Sequence, residues 1–472
     1  MASTRSGLTA EGALYEALAR GNKDTFFFGK DPETCTNPFE TRYAPTPPVI
    51  HELRRIPPLN GAAFGRPCEF EFEVAGDTFV SPTILIDLPS WLPPVEAAAN
   101  KLRPVTATET GLSYGYTNGI AYFLFSKIQV LQEKLLLMEF SGDALWASRV
   151  ARGSLNSAYL EAKLAGWHDG SADSIAAAAT PGRLRLTLPF LGGGNGFPSI
   201  AMRTQGFKLR LHLRPLEELV ESSDAAAVAA ARPWDVPSFT LAGSPPRAFA
   251  PLPRTGIAAP TLQLETRHIY TDGESQKALR TQPLEIPFPR LYENTFTFGP
   301  QEYAPLARAA TAAVTKRVDA QHPASRLFWF MRSQNDLRAG RRWKVAPDIS
   351  GAEYYANESL IIAGRDRETL FSSFVWGDLT SHAKEDRWPG AGFGEMNWDL
   401  GDVRGAPRPP RERQPEGSVN FTTADRPTLY TELVDVPADT ILGKPSTEMT
   451  AVVDTWALYS IEDDRGGLKY GN

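Results

Sequence analysis

Apolar and polar residues alternate along several short stretches of this chain. In residues 68–74 (CEFEFEV), one Cys, two Phe and one Val alternate with three Glu, and in residues 207–213 (FKLRLHL), Phe and Leu alternate with Lys, Arg and His. A period of two residues is typical of β strands with one buried and one exposed face. A slip of one residue in 207–213 would move every leucine into water, so the pairing register of this strand is strongly specified.

The same alternation, or a short apolar run bounded by turn residues, predicts further strands in two blocks. In the first block they lie at 79–88, 120–140 (two strands), 184–188 and 261–270. In the second block they lie near 285–298, 325–332, 358–363, 370–376, 393–400, 418–434 and 450–461. The run LQEKLLLMEF within 120–140 also has good helix propensity. The aromatic and β-branched residues before it favour strands.

Helical pattern is scarce. An amphipathic helix is predicted at 7–20, and residues 141–179 are predicted to be helical or irregular. The long excursion at 215–260 has room for a helix at 216–232. The Pro-rich tract at 37–58 can form neither a helix nor a central strand. The N-terminal residues are therefore interpreted as an extended arm.

Composition supports an all-β protein with more than one domain. A chain of 472 residues is longer than a single hydrophobic core usually accommodates. Most of its 39 prolines lie between apolar runs, as expected where turns join short strands. The two blocks predict two sandwiches or barrels of about eight strands each. The predicted organisation is an N-terminal arm at 1–60, a first domain at 61–275 and a second domain at 276–472.

Charge and cysteine content restrict the partners and the compartment. The net charge of −6 gives no global attraction to nucleic acid or to an anionic membrane. Cys35 and Cys68 provide neither a disulfide framework nor a zinc quartet, which fits a reducing compartment. Residues 1–18 have no uninterrupted apolar core, so no signal peptide is predicted. The most apolar run, 120–138, carries three charged residues and is not interpreted as a transmembrane helix.

No motif identifies a catalytic centre. The GGGNG run at 192–196 lacks the Lys-Ser/Thr of a P-loop and is interpreted as a loop. The six histidines are scattered, without an HxH or HExxH pattern. Carboxylate pairs such as Asp463-Asp464 and Glu395/Asp399 would suit a glycosidase only if two of them faced each other across the substrate. We therefore predict no catalytic residue, no cofactor and no metal site.

Two clusters of basic residues allow two interpretations. They comprise Arg338, Arg341, Arg342 and Lys344, and Arg404, Arg408, Arg411 and Arg413. Both could contact nucleic acid, or both could form salt bridges to neighbouring loops or subunits. Because the chain as a whole is acidic, salt bridges are the favoured interpretation, and no specific nucleic-acid partner is predicted.

Tryptophans and sequons also have a structural and a functional interpretation. Tryptophans at strand spacing, Trp329, Trp376, Trp398 and Trp456, could form a platform for sugars, but packing in a core is favoured. Asn357 and Asn420 each begin an N-glycosylation sequon. In a chain without a signal peptide these matches are interpreted as chance, and the two residues stay candidate glycosylation sites only.

Several segments, in order, resemble the major capsid proteins of nucleocytoplasmic large DNA viruses. Residues 414–421 (QPEGSVNF) resemble the family signature QPSGSxNF, and 466–472 (GGLKYGN) resemble its GGLAYxN terminus. Residues 188–209 are similar to the passage PLPFWF…LPLIALQYxxV, and 268–274 (HIYTDGE) to YIYLDxxER. Residues 128–146 are a looser match. Glu416 and Lys469 depart from the pattern, and the arm keeps only traces of the family's N-terminal motif.

The resemblance implies a fold and a role. The fold would be a double jelly roll, two eight-stranded sandwiches in tandem with long inserted loops and an extended N-terminal arm. The chain would form homotrimeric, pseudo-hexagonal capsomers that tile an icosahedral virion shell. Its partners would be further copies of itself, neighbouring capsomers and minor capsid proteins. The arm at 1–60 would lie on the inner side, towards the membrane beneath the shell.

Other functions remain open on the residues alone. A minor or penton-type jelly-roll capsid protein is the nearest alternative. A carbohydrate-active β-sandwich enzyme would need two carboxylates in a cleft, and a carbohydrate-binding module would need an exposed line of tryptophans. In the 414–421 motif, Gly417 is expected to permit a tight backbone path, and Asn420 to form local hydrogen bonds at the start of the following strand.

Overall fold

The computed structural model describes most of the chain from residue 49 onwards. The described residues are 49–72, 76–100, 105–107, 112–152, 163–191, 196–202, 206–223, 232–241, 245–271, 273–347, 353–380, 392–399, 417–438, 443–462 and 465–469. The helix predicted at 7–20, Cys35, residues 192–195 of the GGGNG run and the basic cluster at 404–413 lie outside them. Residues 49–472 form one compact unit.

The described part of the chain is dominated by strands. Up to residue 271 they are β1 (Ile50–Ile56), β2 (Pro67–Phe72), β3 (Thr78–Asp87), β4 (Val105–Ala107), β5 (Tyr114–Tyr116), β6 (Phe125–Gln132), β7 (Leu135–Phe140), β8 (Leu184–Thr187), β9 (Phe207–Leu213), β10 (Val220–Ser222), β11 (Phe239–Leu241), β12 (Arg247–Phe249) and β13 (Thr261–Tyr270). Beyond it they are β14 (Leu284–Phe298), β15 (Ala312–Arg317), β16 (Pro323–Ser333), β17 (Tyr355–Ile362), β18 (Arg365–Ser372), β19 (Phe393–Asn397), β20 (Val419–Asn420), β21 (Thr428–Leu433), β22 (Thr447–Glu462) and β23 (Arg465–Leu468).

Helices are short and connect the strands. The α-helices are α1 (Pro94–Asn100), α2 (Ile120–Phe123), α3 (Gly142–Arg152), α4 (Ala172–Ala177), α5 (Gly273–Thr281), α6 (Pro300–Tyr303) and α7 (Gln334–Arg338). Single 3-10 turns lie at Ser199–Ala201, Leu216–Glu218, Pro233–Asp235, Arg254–Gly256 and Ala304–Ala307, and a π-helical turn at Val375–Leu379. No helix among the described residues is long and apolar enough to cross a membrane.

The first eight-stranded unit consists of two antiparallel sheets. Sheet 1a has the order β1-β13-β3-β8, and sheet 1b has the order β2-β9-β6-β7. Inward side chains from both sheets share one apolar core, which includes Phe70, Ile84 and Leu209. Strand β9 buries Phe207, Leu209, Leu211 and Leu213 on one face, so the register predicted from its alternation is confirmed.

The second unit repeats the first. Sheet 2a has the order β14-β22-β16-β19, with β20 and β23 attached, and sheet 2b has the order β15-β21-β17-β18. In both units the first strand pairs with the eighth, and the second with the seventh. This is the strand order of a jelly roll, so the predicted double jelly roll is confirmed. A separate core, which includes Leu327, Trp329 and Met449, fills the second roll.

Most predicted strands are confirmed, and the errors have local causes. Residues Ile120–Phe123 form helix α2 instead of a strand, after Gly119 turns the chain with a left-handed φ of 71°. Its four residues are all buried, so no periodicity distinguished helix from strand. A helix predicted at 216–232 is wrong in its described part, which holds a 3-10 turn and β10.

Two further differences concern edge strands. Strand β15, rich in Ala, was not predicted, and the strand predicted at 370–376 is displaced. Ala363 and Gly364 both have positive φ and form a tight hairpin turn, so β18 begins at the charged Arg365. Residues Ile50–Ile56, predicted as part of the arm, form β1 at the edge of sheet 1a. An edge position tolerates nearby prolines because only one side of the strand is paired.

Candidate functional site

The most distinctive feature of the described residues is the interface between the two jelly rolls. Phe328 and Phe330 of β16 point away from the core of the second roll and join the apolar cluster of the first roll. Trp146 of α3 meets Phe330 edge to face, with ring centroids 5.9 Å apart. Phe197 meets Tyr459 of β22 at 5.6 Å. The outer face of sheet 2a is therefore continuous with the first core.

A buried ionic network crosses this interface. Asp143, in the first turn of α3, accepts a hydrogen bond of 2.5 Å from Arg332 Nη1 of β16 and a shorter one from Arg214 Nη2. Arg342 lies 3.7 Å from the same carboxylate, and Arg332 also pairs with Glu448 at 3.2 Å. The side chains of Asp143 and Arg332 are 4% and 2% exposed. Removing either partner would leave a buried charge without its counter-charge.

The arginines determine the charge state of Asp143. Burial by itself raises the pKa of this carboxyl, but the charges on Arg214, Arg332 and Arg342 outweigh burial and hold the pKa well below its ordinary value. The carboxylate is therefore ionised throughout the physiological range. For Arg342, burial lowers the pKa of the guanidinium. The network can act as a fixed electrostatic link between the rolls.

A second contact links the loop after α7 to the insertions of the first roll. Glu221 of β10 accepts a hydrogen bond of 2.9 Å from Trp343 Nε1 and lies 3.0 Å from His168 Nε2. Arg341 donates to the carbonyl of Ser222. Gly340 has a φ of 76°, and a Cβ there would lie 2.4 Å from the carbonyl oxygen of Val220, so glycine is required.

Two members of the described basic cluster, Arg342 and Lys344, form salt bridges, which was the favoured interpretation. Arg342 pairs with Glu218 at 2.9 Å and Lys344 with Asp336 at 3.2 Å. The contacts of Arg342 with Glu218 and Asp143 span the interface between the rolls, which the sequence did not indicate. These side chains hold loops together and do not form a free basic surface.

The end of the chain contributes a third contact. Tyr459 Oη donates a hydrogen bond of 2.8 Å to Gln132 Oε1, and Gln132 Nε2 donates one of 3.2 Å to the carbonyl of Gly466. A Cβ on Gly466 would lie 2.0 Å from Tyr459 Oη. The first glycine of the 466–472 motif therefore lets β23 pass close to the interface. The motif could have drawn attention to this position from sequence.

The carboxylates do not form a catalytic pair in the described residues. Glu395 is fully buried and bound to Arg326 at 3.1 Å, and Asp454 lies 3.5 Å from the same arginine. Asp399 follows in a turn with Asn397, and Asp463-Asp464 lie outside the described residues. Burial raises the pKa of Glu358 well above its ordinary range, and Thr431 donates to it within the second core.

Metal-ligand types are also dispersed. Among the described residues, no group of three or more His, Cys, Asp or Glu is placed to hold a metal ion. His168 lies beside Glu221, His268 beside Thr266 and His322 beside Arg290. Cys68 is buried, and burial raises the pKa of its thiol to about 11.

The tryptophans and sequons lie in structured positions. Trp329 and Trp376 are buried in the second core, whereas Trp398 and Trp456 are partly buried. Asn420 is exposed, but its Oδ1 accepts a hydrogen bond of 2.9 Å from the amide of Thr422, which confirms the local bond expected there. Asn357 lies in β17 and donates to Glu432 at 2.6 Å. Glycosylation at Asn357 or Asn420 stays a prediction.

Among the described residues, exposed large apolar side chains occur close together in sequence in two places. The β1 patch comprises Val49, Ile50 and Leu53, and the β18 patch comprises Leu370, Phe371, Phe374 and Leu379. Leu53 and Phe374 are 52% and 55% exposed. Both patches lie on or beside edge strands, whose free backbone groups can pair with another chain. Exposed apolar residues on edge strands are typical of association surfaces.

Comparison with known proteins identifies the fold. No family model and no curated protein sequence matches the chain. Among solved structures, it is similar to the crystal structure of PBCV-1 VP54, with a TM-score of 0.67 and 14% identity over 92% of this chain and 100% of that one. The chain has the fold of double jelly-roll capsid proteins. A quasi-atomic model of the PBCV-1 virus capsid gives 0.64 at 14% identity over 92% and 100% of the two chains.

A third likeness supports the same fold. The Faustovirus major capsid protein gives a TM-score of 0.58 at 12% identity, over 96% of this chain and 99% of that one. Since both chains are covered almost completely, the match includes both rolls and their arrangement. Sequence identity of this order establishes the fold alone, and the function has to be argued from the chain's own surfaces.

Proposed function

We propose that this chain is a structural capsid protein, the major one of an icosahedral shell. The observation that carries the proposal is the joining of two jelly rolls of identical strand order through a buried interface. Capsid proteins of PBCV-1 and Faustovirus share this fold over nearly their whole length. The capsid motifs of the sequence support the same role. Its place in the cell would be the virion shell.

The capsomer would be a homotrimer. Three copies supply six similar rolls and therefore a pseudo-hexagonal outline that can tile a shell. Obligate assemblies of this kind bury on the order of 2,000 to 5,000 Å2 per interface. Trimer contacts would also cover the edge strands β1 and β18. Neighbouring capsomers, minor capsid proteins and, through residues 1–60, the inner membrane side are the further proposed partners.

A mass measurement tests this proposal. Light scattering of the purified chain at micromolar concentration should give the mass of three copies, and electron micrographs should show hexagonal capsomers. A monomer under these conditions would contradict the proposal. For a minor or penton-type protein, purified particles would contain only a few copies.

A catalytic role has less support. The carboxylate at Glu395 does not face a cleft, because Arg326 neutralises it on the buried outer face of sheet 2a, on the opposite side of the sheet from the second core. The tryptophans Trp329 and Trp376 pack in that core and do not form an exposed platform. A glycan-binding screen that gave specific binding would favour the carbohydrate-module alternative.

A further inference from the structure

A small pocket lies on sheet 2a, beside the last part of strand β22. Strand β16 pairs with β22 as far as Thr455, and β23 pairs with the same edge of β22 from Tyr459 onwards. Between these two strands, no strand among the described residues pairs with Trp456 or Ala457 on this edge. The space at this gap has a volume of about 140 Å³. We call it the β22 pocket, and its lining includes Arg290, His322, Pro323, Trp456, Leu458 and Leu468.

Both motifs near the end of the chain contribute to the β22 pocket. Leu468, from the 466–472 motif, lines it directly. Phe421, the last residue of the 414–421 motif, donates its N–H to the carbonyl of His322 at 3.1 Å, and the N–H of His322 donates to Thr422 Oγ1 at 2.8 Å. These bonds hold His322 at a φ of 69°, a left-handed conformation that is strained for a residue with a Cβ. Strain of this kind is concentrated at ligand sites, so its position here is informative.

The polar groups at the pocket are hydrogen-bond donors. Among the described residues, no carboxylate forms a salt bridge with Arg290. Its guanidinium lies 3.4 Å from His322 Nε2 and 5.3 Å from the ring centroid of Tyr292. Burial, and after it the charge of Arg290, lower the pKa of His322, so the neutral ring can accept at Nε2. Trp456 Nε1 is buried and has no hydrogen-bond partner in the described part of the chain.

The rest of the lining restricts the ligand further. None of the lining residues carries a carboxylate, an amide or a hydroxyl, so the side chains offer no acceptor to a cationic ligand. Leu458 and Leu468 supply aliphatic surface, and Trp456 supplies an aromatic ring. A cavity of about 150 Å³ holds benzene, so this space fits an apolar body of that size. Convergent donors beside apolar walls suit one anionic group on an apolar body.

We propose that the β22 pocket binds a small organic anion, a carboxylate carried on an apolar body of about the size of benzene. The carboxylate accepts hydrogen bonds from the guanidinium of Arg290, whose planar fork matches its two oxygens, and from Trp456 Nε1. The apolar body lies against Leu458 and Leu468. The site is contained within one chain, so the inference does not depend on the proposed trimer.

Titration calorimetry of the full chain with sodium benzoate tests the assignment. Benzoate should bind one molecule per chain, with a dissociation constant in the millimolar range or below. Benzamide has the same ring without the charge and should bind about tenfold more weakly, because charged acceptors form the stronger hydrogen bonds. Acetate has the charge without the ring and should also bind more weakly than benzoate. Equal affinities for benzoate and benzamide would contradict the proposal, and this comparison needs no variant.

Two variants separate the charged and the apolar parts of the pocket. Arg290→Gln should weaken benzoate binding about tenfold and leave benzamide binding unchanged. Leu468→Trp should abolish the binding of both, because the larger ring fills the space. The matched control Arg317→Gln removes an exposed arginine of β15 and should bind both probes as the wild type does. Circular dichroism checks that each variant is folded.

Two results would overturn the inference. One is a wild-type chain that does not bind benzoate at millimolar concentration, and the other is a folded Arg290→Gln variant that binds benzoate as tightly as the wild type. Neither result would affect the proposed capsid role, which is tested by the mass and the shape of the assembly.

Discussion

The outer faces of sheets 1a and 2a occupy the same place in the strand order of their rolls and differ in chemistry. Sheet 2a presents Phe328, Phe330 and Phe393, which are buried against the first roll. Sheet 1a presents Arg55, Arg185 and Glu265, of which both arginines are exposed. Topology thus determines where a contact surface lies, and side chains determine whether it is buried within the chain or available to another copy.

The largest expected effect is at the aromatic centre of the buried face. Phe330→Ala should lower the free energy of unfolding by about 3–5 kcal/mol, because it leaves a cavity beside Trp146 and removes the ring under Arg332. Urea denaturation of the purified chain measures the change. The control Val95→Ala, at an exposed site, should change the free energy by about 0.5 kcal/mol or less. Equal effects would mean that the interface contributes no more to folding than the surface does.

The two faces should also differ in their ion pairs. Asp143→Asn should destabilise the chain by about 3–5 kcal/mol, since three arginines would lose their shared carboxylate in a buried site. The same substitution at Asp87, which pairs with Arg183 on exposed sheet 1a, should cost about 1 kcal/mol or less. Thermal unfolding of the two variants side by side measures the difference. A small effect at Asp143 would show that water replaces the carboxylate.

These contrasts show what the sequence could reveal. Period-two alternation located the strands of both cores, and ordered motifs indicated the double jelly roll. The contacts between the rolls could not be predicted from the sequence, because Asp143 and Arg332 are 189 residues apart and neither lies in a recognisable motif. Gly466 is an exception, since the motif marked a position where the structure excludes a side chain. Salt bridges were correctly expected for Arg342. The sequence did not reveal that its partners, Glu218 and Asp143, lie in the other roll.

Acid should weaken the buried face more than the exposed one. An acid whose pKa is lowered by folding stabilises the fold above its unfolded pKa, and this contribution is lost as the pH falls through the folded value. The ordinary value for Asp143 is 3.8 and the folded value lies below it. Stability should therefore decrease as the pH falls below about 4, with a slope of up to about 1.4 kcal/mol per pH unit from this group. Between pH 4 and pH 2, the free energy of unfolding of the Asp143→Asn variant should fall less steeply with decreasing pH than that of the wild type. If the two slopes are identical, other carboxyl groups are responsible for the acid sensitivity.

The smallest effect is expected where the last strands close the interface. Tyr459→Phe removes the hydroxyl that donates to Gln132 and lies beside Met202, while keeping the ring against Phe197. The cost should be about 1–2 kcal/mol, because the buried amide oxygen loses a donor and no cavity larger than a hydroxyl is created. Tyr270→Phe is a matched control, since that hydroxyl donates to Glu52 on the exposed edge of sheet 1a and should contribute less. If the two variants unfold at the same urea concentration, these hydrogen bonds contribute equally to stability at the buried interface and at the exposed edge of sheet 1a. The difference in stability between the two faces would then rest on Phe330 and Asp143 alone.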